Sequence, residues 1–202
     1  KGLVAEYPAG MGGAADGARA LLRLGGTGWW PWAYECFQEI TVGERGIGLS
    51  LTLRNTGTTP MPAGLGFHPY FPCTGQTLLR FDASGAYPPM GNGPLAIQAL
   101  DATNSFTTLR PVSGTGLDHC YAGWHGPATI IQPETGLQVS VTPLRGARHC
   151  VVYTPVDKPY FCLEPVSHLT GAFEARDPAA AGLELLHPGA ALDLAISIEA
   201  RR

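Results

Sequence analysis

Ile47-Gly48-Leu49-Ser50-Leu51-Thr52-Leu53-Arg54-Asn55 decides the fold class of this 202-residue chain. Ile47, Leu49, Leu51 and Leu53 alternate with Gly48, Ser50, Thr52 and Arg54, the period of two that sends successive side chains to opposite faces of a strand. One face is expected dry and the other wet, with Asn55-Thr56-Gly57 turning the chain at the end. The same alternation returns at residues 137–142 and 192–199, and short apolar runs at 128–131, 150–153 and 160–163 read as more deeply buried strands. Twenty-seven glycines and 18 prolines, spread along the chain without a repeat, supply the punctuation that many short strands need. Helical periodicity is scarce. Residues 14–24 read either as a short helix or as a strand entering at Ala20, and residues 178–186 have room for one turn. The expectation is an all-β protein, a large antiparallel β-sandwich in one domain over residues 1–202, with residues 1–17 as a weakly packed, Gly/Ala-rich entrance.

Composition excludes several function classes. Charged residues are 14% of the chain and the formal net charge is -3, with no Lys/Arg run, so nucleic acid is not an expected partner. No apolar stretch approaches the roughly 20 residues of a membrane helix, and the chain does not open with the charged-then-apolar order of a signal peptide. Cys36, Cys73, Cys120, Cys150 and Cys162 are odd in number and lack CxxC spacing, which argues against a disulfide framework or a zinc site. They read as small buried hydrophobes in a reducing compartment, hence a cytoplasmic location. The six histidines show neither HxH nor HxxxH spacing, so no metal or other cofactor is expected, and His125, His149 and His187 read as surface or satisfied core residues.

Two side chains carry proton chemistry. His68 lies in Gly64-Leu65-Gly66-Phe67-His68-Pro69-Tyr70-Phe71, where Pro69 biases it toward extended backbone and Phe67, Tyr70 and Phe71 can wall off water. Glu164 lies at the end of an apolar run in Tyr160-Phe161-Cys162-Leu163-Glu164-Pro165-Val166-Ser167-His168, where partial burial would raise its pKa and suit it to base catalysis. Two readings of Glu164 stay open: a strand-end residue satisfied by backbone amides, or the base of an acid/base couple with His68. Leu117-Asp118-His119 follows Gly114-Thr115-Gly116 and precedes aromatic residues, a setting that suits either an Asx-turn or recognition of sugar hydroxyls. Trp29, Trp30 and Trp32 form an aromatic block that reads as core or sheet edge rather than a sugar platform.

Taken in order, these strings carry a resemblance. Asn55 to Phe71, with Pro60-Met61-Pro62-Ala63-Gly64-Leu65-Gly66 leading into His68-Pro69-Tyr70-Phe71, resembles the catalytic-acid segment of the aldose 1-epimerase (galactose mutarotase) family. Leu117-Asp118-His119 resembles its sugar-binding aspartate segment, and Cys162 to His168 followed by Ala172-Phe173 resembles the segment carrying the catalytic base. The closing Gly182-Leu183-Glu184-Leu185-Leu186-His187-Pro188-Gly189 fits as well.

The resemblance implies a galactose mutarotase-like supersandwich that interconverts the anomers of a free aldose without metal or organic cofactor. Glu164 would be the base and His68 the acid, and Asp118, His119, Tyr70 and His168 the substrate-binding residues, His168 at the rim. Family members usually carry, ahead of the matched part, a segment with an arginine and a second histidine that bind substrate, and nothing before Trp29 resembles it. That difference, with a start at Lys1-Gly2-Leu3, leads to the expectation of a chain truncated at its N-terminus, with exposed sheet edges that invite a homo-oligomer. Two other readings stand beside the first. One is a hexose-6-phosphate 1-epimerase, for which Arg80, Arg110, Arg145 and Arg148 are the available cations. The other is a carbohydrate-binding or sensing module without turnover.

Overall fold

The computed structural model describes residues 19–26, 30–87 and 97–202, the first of these as backbone. The expected entrance at residues 1–17 and Trp29 lie outside them. Among the described residues fifteen strands follow one another in chain order: β1 (Arg19–Gly26), β2 (Tyr34–Gly43), β3 (Gly46–Asn55), β4 (Met61–Ala63), β5 (Tyr70–Pro72), β6 (Leu78–Asp82), β7 (Gly85–Tyr87), β8 (Arg110–Pro111), β9 (Asp118–Ala122), β10 (His125–Gln132), β11 (Leu137–Arg145), β12 (His149–Tyr153), β13 (Tyr160–Val166), β14 (Glu184–Leu186) and β15 (Ala191–Arg201). No helix occurs among the described residues. The ambiguous segment at residues 14–24 resolves, from Arg19 onward, as β1, paired antiparallel with β2. Residues 178–186 hold turns and then β14.

Every ladder among the described residues is antiparallel. A large sheet runs β1-β2-β3-β15-β11-β10-β6-β8, a smaller one runs β5-β13-β12-β9-β7, and β14 pairs with β4. The inward faces of the two main sheets share one core, with Leu79, Phe81, Ile130, Val141, Leu194 and Ile196 from the large sheet meeting Phe71, Phe161, Leu163, Val152 and Tyr121 from the small one. Aromatic rings set its centre: Phe81 packs edge-on to Tyr121 with centroids 4.9 Å apart, and the Tyr121 hydroxyl donates to the Asn104 carbonyl at 2.6 Å.

β3 holds the place its alternation predicts, between β2 and β15. Its expected dry face is less dry than the pattern suggests, since Leu49, Leu51 and Leu53 pack against the core yet stay only partly buried, whereas Leu192, Leu194 and Ile196 on the adjoining β15 are buried. The opposite face of β3 is small. A Cβ at Gly46 would fall 2.1 Å from the Ile198 carbonyl oxygen, so only glycine lets β15 come this close. At the other end of β3 the buried Asn55 side chain donates to the carbonyls of Thr59 and Leu186, both at 2.8 Å, and accepts from the Gly57 amide at 2.9 Å. One turn residue thus ties β3 to the loop leading to β4 and to the end of β14.

All five cysteines are free thiols: Cys120, Cys150 and Cys162 are buried, Cys36 and Cys73 partly so. No helix of the described residues is long and apolar enough to cross a membrane.

Candidate active site

β13 organises the site. Its inward residues, Phe161 and Leu163, are buried in the shared core, so the alternation places Cys162 and Glu164 together on the outer face of the small sheet. On one side β5 aligns Tyr70 with Cys162; on the other β12 aligns Tyr153 with Cys162 and Val151 with Glu164. β9 completes the rows, with Asp118 beside Tyr153 and Cys120 beside Val151. Tyr70, Cys162, Tyr153 and Asp118 therefore form one lateral row, and Glu164 stands in the next.

His68 joins by register. Gly66 bridges to Val166 and Tyr70 pairs with Cys162, so the residue midway between Gly66 and Tyr70 falls opposite the residue midway between Cys162 and Val166. Those residues are His68 and Glu164. Pro69 has no amide to extend the ladder, which leaves His68 extended yet outside a regular strand. The approach is pinned by three contacts: the Leu65 amide donates to Ser167 Oγ, the Ser167 amide to the Leu65 carbonyl, and the Phe67 amide to the Pro165 carbonyl, each at 2.9 Å. His68 Nε2 then stands 3.1 Å from Glu164 Oε1, with the His68 side chain 54% exposed and that of Glu164 14%. Tyr70 stacks on the imidazole at a centroid distance of 4.9 Å and meets Tyr160 edge-on at 5.2 Å.

Burial pushes the Glu164 carboxyl above its usual range; His68 beside it draws it partly back, and the Asp118 carboxylate adds to the rise. Asp118 is exposed and close enough to be felt by Glu164, so the two carboxylates face a common space. The segment after β13 folds back over this same face, where Leu169, Ala172, Ala181 and Leu183 pack with Cys120, Val151 and Val166. It closes the face beside Glu164 and leaves Tyr70, Tyr153 and Asp118 exposed, Tyr70 at 60% and Tyr153 at 37%, with Cys162 buried between the two tyrosines. Phe173 on this segment packs edge-on to Trp30 at 5.5 Å, and Trp30 and Trp32 rest against the main core.

The expected site residues divide. His68, Glu164, Asp118 and Tyr70 share one face, as laid out above. His119 does not: β9 alternation puts it with the buried Tyr121, on the opposite side from Asp118, and its Nδ1 is buried without a hydrogen-bond partner. Burial lowers the His119 pKa, partly offset by Asp118, which favours the neutral ring. Asp118 and His119 adjoin in sequence, but neighbours on a strand point to opposite faces. His168 is a support. Its ring lies against Gly64, where a Cβ would fall 1.9 Å from Cδ2 and 2.4 Å from Nε2, and its Nδ1 is 3.0 Å from the Leu169 carbonyl.

Two residues on the face were missed, Tyr153 and Cys162. Tyr153 sits between Asp118 and Cys162 only because β12 lies between β9 and β13, a strand order no local pattern announces. The Cys162 thiol is pushed up to about 11 by burial and by Glu164, so it stays protonated beside the pair. His149, on the same face, is held down to about 4 by burial first, then by His168 and Arg148, and accepts from the Gly123 amide at 3.4 Å. His125 and His187 are exposed, as expected.

Known proteins resemble this chain in sequence and in fold. The family model described as aldose 1-epimerase matches residues 15–199. Among curated proteins, the uncharacterized protein YphB of Escherichia coli K12 is 33% identical over 132 residues, which are 60% of this chain and 45% of that relative. The chain thus matches less than half of YphB's length. Among solved structures, a galactose mutarotase-like protein of Clostridium acetobutylicum superimposes with a TM-score of 0.80 at 10% identity, covering 98% of this chain and 66% of the other. The galactose 1-epimerase of Lactobacillus acidophilus NCFM gives 0.77 at 13% identity, with 98% and 66% covered. At such identities these two likenesses speak to the fold, a galactose mutarotase-like all-β architecture.

Proposed function

The chain belongs to the aldose 1-epimerase family, and from that premise we propose that it interconverts the α and β anomers of a free, uncharged aldose. The observation that carries this reading is the His68–Glu164 contact at 3.1 Å, on a face that also bears Asp118. A hemiacetal places its hydroxyl and its ring oxygen on the same carbon, so an acid and a base that serve both must be adjacent. Glu164, ionised, takes the proton from the C1 hydroxyl while protonated His68 gives one to the ring oxygen. The C1 carbonyl forms as the bond from C1 to the ring oxygen breaks. Rotation about C1–C2 presents the other carbonyl face; the ring hydroxyl then attacks, His68 takes back its proton and Glu164 returns one to the C1 oxygen. Each group ends as it began, and only protons move between protein and sugar.

Burial of Glu164 fits the base role, because a carboxylate with a raised pKa takes a hydroxyl proton more readily near neutral pH. Asp118 accepts hydrogen bonds from sugar hydroxyls, and the exposed rings of Tyr70 and Tyr153 offer apolar faces to the C–H side of the ring.

A phosphorylated sugar fits less well. Beside His68 the common space is faced by the carboxylates of Glu164 and Asp118, and the four candidate arginines are engaged elsewhere: Arg80 with Asp82 at 2.9 Å, Arg145 with Asp193 at 3.6 Å, Arg148 with Glu184 at 3.8 Å, and Arg110 with the Ala102 carbonyl at 2.8 Å. The test is polarimetry on freshly dissolved α-glucose and α-galactose at low buffer concentration. Equilibration faster than in buffer alone supports the reading. A rate equal to buffer with tight sugar binding would favour a sensing module, and a preference for glucose 6-phosphate that weakens with salt would favour the phosphorylated substrate.

A further inference from the structure

We propose that His68, Cys162 and Glu164 form a three-ligand site for a zinc-type divalent cation, and that the bound cation switches off the acid/base pair. The imidazole nitrogen, thiol sulfur and carboxylate oxygen of these residues all lie within 4.8 Å of one another, and the nitrogen and oxygen are 3.1 Å apart. Donors around a tetrahedral zinc stand about 3.3–3.8 Å from each other, given bonds of about 2.0–2.3 Å, so closure needs side-chain shifts of roughly an ångström. The three come from one rigid unit. Cys162 and Glu164 are two apart on the same face of β13, and His68 is set opposite Glu164 by the contacts on either side of it. This differs from a cluster of acidic side chains on a surface, where nothing fixes mutual distance.

The donor set selects the metal. Magnesium and calcium take oxygen ligands, whereas a mixed nitrogen, sulfur and oxygen set suits zinc and cobalt. Three protein ligands leave a fourth position for water or a sugar hydroxyl. The half-exposed His68 ring provides the way in, and Cys162 lies behind it with no exposed surface. On binding, the zinc–sulfur bond forms and the thiol proton leaves to solvent. His68 Nε2 and the Glu164 carboxylate then give their lone pairs to the cation and cannot exchange protons with a sugar. The absence of local spacing motifs hid this arrangement, since its members are brought together by strand pairing.

The binding part needs no assumption about the reaction; the inhibition part rests on the proposed epimerase activity. The full chain, freed of metal by a chelator, is titrated with cobalt(II) alone, followed by zinc. One equivalent should give a thiolate-to-cobalt charge-transfer band that zinc abolishes. Cys162→Ala should lose the band, and a Cys36→Ala/Cys73→Ala variant, lacking the two partly exposed thiols, should keep it. No band in the unmodified chain, a band that survives Cys162→Ala, or one lost in the Cys36→Ala/Cys73→Ala variant would each overturn the site. In polarimetry, saturating zinc should slow mutarotation at least tenfold, with recovery on chelation; an undiminished rate with zinc bound would overturn the switch. If the chain shows no mutarotation, the cobalt spectra still decide the site while the epimerase reading falls.

Discussion

Replacing Gly64 with alanine tests whether the support behind His68 matters to its chemistry. Gly64 is not among the positive-φ glycines, so alanine suits its backbone and the effect comes from the added methyl alone. That carbon would lie 1.9 Å from Cδ2 of His168, against about 3.5–4.0 Å for carbons in contact, so the two must separate by roughly 2 Å. The His168 ring is tied at Nδ1, 3.0 Å from the Leu169 carbonyl, and the Cα and Cβ that carry it lie against Gly182. The strain therefore passes to residues 64–67, which place His68 against Glu164. A misplacement of about 1 Å in a catalytic group is enough to cost on the order of 100-fold in rate, or about 2.7 kcal/mol of transition-state stabilisation. The assay is kcat/KM by polarimetry, with thermal unfolding in parallel to confirm a folded variant. His168→Ala in the Gly64→Ala background removes the obstruction and should restore at least tenfold of the loss. A folded Gly64→Ala protein with an unchanged rate, or a double variant no better than the single, would refute the idea that His168 sets the position of His68 through Gly64.

Three further outcomes are expected. Because Glu164 has a raised pKa when folded, its ionised form costs stability above that pKa and nothing below the unfolded value; Glu164→Gln should therefore raise the thermal midpoint at neutral pH, with the gain fading as pH falls through the interval between the two values. Asp118→Asn removes a charge that raises the Glu164 pKa, so the acid limb of the pH–rate profile, measured with chelator present, should move to lower pH, and a limb that stays or rises would contradict the shared space. Asn55→Ala breaks the side-chain bonds to Thr59, Leu186 and Gly57 and leaves a buried carbonyl unpaired, a loss of about 3 kcal/mol that should lower the midpoint by roughly 6–12 °C.

What could be read in the sequence follows from how local each signal is. Alternation in residues 47–55, 137–142 and 192–199 exposed β3, β11 and β15, because a strand with one face against a core writes its period into consecutive residues. Asn55-Thr56-Gly57 announced its turn in the same way, and Asn55 proved to be a buried knot. His68 and Glu164 were found separately, each from its own neighbours, and the resemblance joined them before any geometry did. The pairings that make them partners, Gly66 with Val166 and Tyr70 with Cys162, link residues about 100 positions apart and leave no local trace. Strand order hid Tyr153 and Cys162, since they reach this face only because β12 lies between β9 and β13, and β13 beside β5. His119 went astray for the opposite reason: adjacency in sequence suggested a common role with Asp118, while the pleat of β9 sends neighbours to opposite faces.

The central claim is that His68 and Glu164 act as one acid/base couple, and a double-mutant comparison of mutarotation rates tests it most directly. Glu164→Gln and His68→Asn should each slow turnover by at least about 100-fold, and the two together should cost little more than either alone, because a couple missing one member has no further proton route to lose. Near-wild-type turnover in either single variant, or losses that multiply in the double variant, would contradict it.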